Sequence, residues 1–215
     1  MSDRNDNTGS LWLAQILWDL GGVQFGSFTM GRSTVDSPVY VNPRLLVSNP
    51  EALKQAARIM HEELQALMAM RHPGVHDFNI VAGVPFGGLH LAAAFSLNGN
   101  IPMVYRYPGS GQDAPVVEGR YELGQNVLIM DDIISTGGSI IETTETLREA
   151  GLLVTDAVVL VDRQLGAKQR LKQHGINLIT ILGIEQLLNY LVSTGQINQE
   201  TFRRSMEYFA ANRGE

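Results

Sequence analysis

A chain of 215 residues, 44% of them apolar, has the length for one sizeable hydrophobic core. Its formal charge of −6 and its lack of any basic run exclude nucleic acid as the main partner, because that affinity rests on neutralising phosphates. With no cysteine, disulfide staples, thiolate zinc sites and cysteine nucleophiles are excluded as well.

Residues 1–9 read as a disordered tail without a signal-peptide core. No apolar run approaches the roughly 18–20 residues of a membrane span, so a cytoplasmic protein with no membrane partner is expected. Ser10 can cap a first amphipathic helix over 11–20, which stops at Gly21 and Gly22. Two β-like pieces, 25–30 and 38–42, flank the turn-rich stretch 31–37 and suggest a small hood over about 10–45. Asn49, Pro50 and Glu51 are a strong helix start, with the helix running to about residue 70.

From there strand and helix alternate. Strands are expected near 79–83, 102–105, 126–130, 155–161 and 177–181, with helices near 88–97, 138–150 and 167–173. Continuous apolar strands in repeated βα units imply an α/β fold with a mainly parallel sheet flanked by helices, ligands lying outside the strand C-termini. Two amphipathic helices, 184–192 and 199–212, close a single domain over 10–215.

The run VLIMDDIISTGGS at 127–139 carries the chemistry. Four apolar residues make a buried strand, Asp131 and Asp132 follow where it is expected to leave the sheet, and Ser135, Thr136, Gly137, Gly138 and Ser139 open a helix. Small residues let a phosphate approach the free N–H groups of a helix N-terminus, while carboxylates accept hydrogen bonds from a sugar diol. GVPFGG at 83–88 also leads from a strand into a helix and offers a second anion cradle around Phe86 and Gly87. VDRQ at 161–164 ends a strand in Asp162 and Arg163, where an arginine can clamp a carboxylate or phosphate, or pair with Asp162 at the surface. In SPVYVN at 37–42, Tyr40 can face a flat base, and Arg44 follows near phosphate. The five histidines show no metal-ligand spacing, and no direct metal ligands are assigned. An acidic chain that binds a polyanion must concentrate its sixteen Lys and Arg locally or recruit a divalent cation.

These stretches, with Phe28, Thr29 and VEG at 117–119, resemble the orotate phosphoribosyltransferases, and the run at 127–139 resembles the phosphoribosyl pyrophosphate (PRPP) signature of type I phosphoribosyltransferases. The resemblance implies Mg²⁺-dependent transfer of phosphoribose from PRPP to orotate by a homodimer. By position, Asp131 and Asp132 would hold the ribose hydroxyls, residues 135–139 the 5′-phosphate, Arg163 the orotate carboxylate, and Tyr40 would stack near the base. Arg32 stands where that family has a lysine. The family's mobile loop carries several lysines and arginines over pyrophosphate, whereas residues 106–119 here hold only Arg106 as a cation, with Asp113 and two prolines. Two readings follow. One is an orotate phosphoribosyltransferase using Arg106 as its loop cation. The other is a PRPP- or nucleotide-binding regulatory paralogue, and transfer to another base shares the first reading's chemistry.

Overall fold

The computed structural model describes residues 8–30, 34–107 and 116–213. The expected tail falls outside them up to residue 7, as do Arg32 and most of the cation-poor loop.

Helix α1 (Thr8–Asp19) begins two residues ahead of the Ser10 cap. Strands β1 (Val23–Met30) and β2 (Thr34–Val41) pair antiparallel from Val23 opposite Val41 to Met30 opposite Thr34. They form a separate two-stranded sheet, longer than the sequence pattern indicated. A short 3-10 turn (Pro43–Ser48) leads to α2 (Pro50–Met68), where the Asn49 side chain accepts from the Ala52 amide at 3.1 Å as an N-cap.

The main sheet holds β3 (Ile80–Gly83), β4 (Met103–Arg106), β5 (Val117–Glu118), β6 (Asn126–Ile134), β7 (Leu153–Asp162) and β8 (Asn177–Gly183), in the order β5-β4-β3-β6-β7-β8. All neighbours are parallel except β5, an added antiparallel edge on β4. Helices α3 (Gly87–Gly99), α4 (Gly138–Glu149) and α5 (Ala167–Gln173) are the crossovers; α6 (Ile184–Ser193) and α7 (Gln199–Ala211) end the chain.

Alternate residues of β6 serve opposite faces, as a strand's period of two requires. Leu128 and Met130 join a core with α1, α2, α3 and α6, while Val127 and Ile129 join a core with α4 and α5. Both faces are therefore covered, which explains the near-continuous apolar strands. From β3 the chain turns to β4 on one side and later resumes at β6 on the other, so the strand order reverses between β3 and β6. That reversal opens a crevice beyond the strands' C-termini.

Candidate active site

One correction concerns β6. The sequence pattern ended the strand at residue 130, leaving the two acids outside the sheet. The ladder instead continues, with Asp131 opposite Val159 and Ile134 opposite Asp162. Both acids are interior positions of a nine-residue strand, with Asp131 7% and Asp132 4% exposed. Strand alternation then sends them to opposite sides.

Asp132 faces the loop after β3. A Cβ at Gly87 would lie 2.3 Å from the Asp132 Cγ, and one at Gly88 would lie 2.3 Å from the Met130 carbonyl oxygen. Only glycine permits this approach. Arg44, leaving the 3-10 turn, donates from Nε to Asp132 Oδ2 at 3.3 Å and remains 63% exposed. In the same loop the Pro85–Phe86 peptide is cis and Phe86 is 69% exposed.

Asp131 faces the other way, into a cavity of about 210 Å³ that it lines with residues 133–140. Gly137 adopts φ 80° before α4, and no side chain caps that helix. The first amide groups of α4 thus open onto the cavity floor as anion donors, beside the hydroxyls of Ser135 and Ser139. Burial first, and the Asp132 charge second, hold the Asp131 carboxyl well above the ordinary carboxylate range.

Arg163 is 3% exposed rather than a surface residue. Its Nη2 donates to Ser37 Oγ at 3.0 Å and its Nη1 to Ser135 Oγ at 3.5 Å, tying the hairpin to the loop before α4. Its guanidinium carbon lies 5.8 Å from the Phe209 ring centroid. Burial pulls this guanidinium below the usual arginine range, while Tyr208 opposes the shift. Tyr40, on β2, is half-buried against Phe28 with ring centroids 5.5 Å apart. Arg106 ends β4, and its Nη1 donates to Glu142 Oε1 of α4 at 2.7 Å.

The structure thus brings Asp131, Asp132, Phe86, Gly87 and residues 135–139 around one crevice, with Arg163 joined to it through Ser135. The helix expected at 199–212 is present as α7, but sequence reading missed its support of Arg163, as it missed Ser37 as a partner of Arg163 and the part played by Arg170. Arg170 Nη1 donates to the Thr136 carbonyl at 3.3 Å. Phe209 lies under Arg163, and the Tyr208 hydroxyl donates to the Val35 carbonyl at 3.2 Å. Nothing in an amphipathic helical pattern marks such support. Ser37 alone carried a signal, since it opens the SPVYVN stretch.

A parallel sheet with an acid pair, a glycine-opened helix and a second glycine loop at its reversal point defines a type I phosphoribosyltransferase. Residues 46–181 match the phosphoribosyl transferase domain. The chain is 35% identical over 187 residues to the orotate phosphoribosyltransferase of Chlamydia pneumoniae, covering 85% of this chain and 84% of that protein. It is 33% identical over 198 residues to bovine uridine 5′-monophosphate synthase, covering 91% of this chain and 40% of the relative. Among solved structures, UMP synthase of Leishmania donovani superposes with a TM-score of 0.83 at 33% identity, over 94% of this chain and 42% of that one. The chain belongs to the orotate phosphoribosyltransferase family.

Proposed function

We propose that the protein transfers phosphoribose from PRPP to orotate, forming orotidine 5′-monophosphate and pyrophosphate. The observation that carries this is the split acid pair: one carboxylate on the cavity at the N-terminus of α4, the other beside the glycine loop, so a sugar across the strand end would touch both. In the transfer the bond from C1′ to the pyrophosphate oxygen breaks, a bond from C1′ to a ring nitrogen of orotate forms, and C1′ passes through cationic character. Fixed carboxylates beneath the ribose favour that charge, provided they are positioned beforehand.

The amides opening α4 and the hydroxyls of Ser135, Thr136 and Ser139 would hold the 5′-phosphate, and the backbone around Phe86 and Gly87 the pyrophosphate. Arg163, locked by Ser37 and Phe209, would meet the orotate carboxylate with Tyr40 beside the base. Among the described residues, Arg44, bound to Asp132, and Arg106, bound to Glu142, are cations that could serve the leaving group.

Among the described residues no three His, Asp or Glu side chains gather as a metal cage. Asp131 and Asp132 face opposite ways, so one carboxylate at most would offer a hard oxygen to a Mg²⁺ ion held mainly by water and substrate oxygens. When bound, Mg²⁺ would neutralise pyrophosphate charge. We propose further that the protein works in the cytoplasm and that, as the resemblance of its motifs implies, it acts as a homodimer.

The absence of Lys and Arg from residues 107–119 favours a second reading, a regulatory protein that binds PRPP without turnover. The test is loss of orotate absorbance with PRPP and Mg²⁺, with an EDTA control. Turnover abolished by EDTA supports the transferase; tight PRPP binding without turnover supports the regulator or transfer to a different base.

A further inference from the structure

We infer a second anion site, for a nucleoside monophosphate, on the outer face of α5 where β7 and β8 begin. The chain contains three lysines, and two of them, Lys168 and Lys172, line one cavity of about 440 Å³ with His76, Thr155, Asn177 and Ile176. The lysines are one helical turn apart on α5, a spacing that puts both ammonium groups on one face. Neither forms an ion pair among the described residues, although the Lys168 charge is felt by Asp162.

Behind the lining residues His76, Thr155 and Asn177, which form the floor, lies a buried carboxylate. Asp156, 3% exposed, accepts from the His76 amide at 3.3 Å, His76 Nδ1 at 2.8 Å, Thr155 Oγ1 at 2.7 Å and Asn177 Nδ2 at 2.8 Å. Asn177 Nδ2 also donates to the Gly74 carbonyl at 2.8 Å. These bonds fix His76, Thr155 and Asn177 and occupy the Asp156 lone pairs, so its charge is shielded from an incoming anion by four donors. Two unpaired ammonium groups above such a floor suit a dianionic phosphate, which lysines bind as point charges. The cavity exceeds a bare phosphate, and Ile176 and Leu178 give the remainder of the ligand apolar surface. A phosphate ester with a flat base fits that combination.

His76, Thr155, Asn177 and Lys172 place the site at the opening residues of β7 and β8, with Lys168 reaching toward the other end of β7; none of its lining residues lines the cavity of Asp131, and the site stands whether or not PRPP binds there. Titrating adenosine 5′-monophosphate calorimetrically into the protein, K168A/K172A and D131N/D132N separates the two places, with inorganic phosphate as the smaller probe. Expected are one molecule bound per chain, binding at least tenfold weaker in K168A/K172A and unchanged in D131N/D132N, and weaker binding of phosphate alone. Absent binding, binding indifferent to the lysines, or binding lost with the acid pair would each overturn the site. Both lysines are exposed, and thermal melts matching the parent protein establish that their replacement leaves the fold intact.

Discussion

Asp131 occupies a position that stability alone would not give a carboxylate. Burial and the Asp132 charge raise its pKa, which means folding disfavours its ionised form. A carboxyl raised by folding costs nothing below its unfolded value, near 3.8. Above that value the cost accumulates as pH rises, until the folded group has also ionised. Asn keeps an Oδ1 to accept the Asp132 amide, now bonded at 2.9 Å, without the charge. Asp131→Asn should therefore melt higher than the parent at pH 7, by about 2–4 °C for each kcal/mol recovered, and show no advantage near pH 3. Melts at the two pH values check this, and a gain at pH 3 as large as at pH 7 would refute the electrostatic cause. At Arg163 the conservative change is the informative one. Arg163→Lys keeps a cation but loses the planar fork that reaches Ser37 and Ser135 together. The KM for orotate should rise roughly tenfold or more, the effect of about 1.4 kcal/mol, with PRPP affinity little altered; steady-state kinetics with each substrate varied would distinguish the two.

At the scale of elements, α5 acts as a brace for the phosphate loop. Arg170 holds the Thr136 carbonyl, and a Cβ on Gly137 would sit 3.3 Å from the Leu171 side chain. Arg170→Ala should raise the KM for PRPP several-fold while leaving that for orotate near its parent value, since in the proposed complex the loop's amides would meet the 5′-phosphate and not the base. The α5 boundaries agreed with the sequence pattern, as did the start of α4 and the Asn49 cap of α2, because each rests on local signals: a glycine or cap, then helical periodicity. The end of β6 was not legible. Aspartate is a poor strand former and reads as an exit, yet the pairing of Asp131 with Val159 and Ile133 with Val161 carries the ladder onward. The same tertiary origin hid β5, whose two residues are a strand only because β4 supplies the partner, and the role of α7, whose Phe209 is a core residue that happens to lie under Arg163.

Over the whole molecule, the crevice at the strand-order reversal collects groups from residue 37 to residue 209, and few of these contacts are local. Sequence pattern could place the phosphate loop and the acids on one sheet edge, since parallel βα units force that. It could not reveal that the acids split across the two faces, because the division depends on the strand continuing. In the proposed transfer, the lack of Lys and Arg in 107–119 would bear on rate. Restoring a cation there, as in Asp113→Lys, should raise kcat with a smaller effect on PRPP affinity, the pattern expected when a new contact acts mainly on the leaving group's developing charge. The most direct measurement is calorimetric titration of PRPP with Mg²⁺ into the protein and into D131N/D132N, with circular dichroism on both. Saturable binding to the protein, lost in the folded double variant, is the result predicted; equal affinity in both would contradict a ribose held across the end of β6.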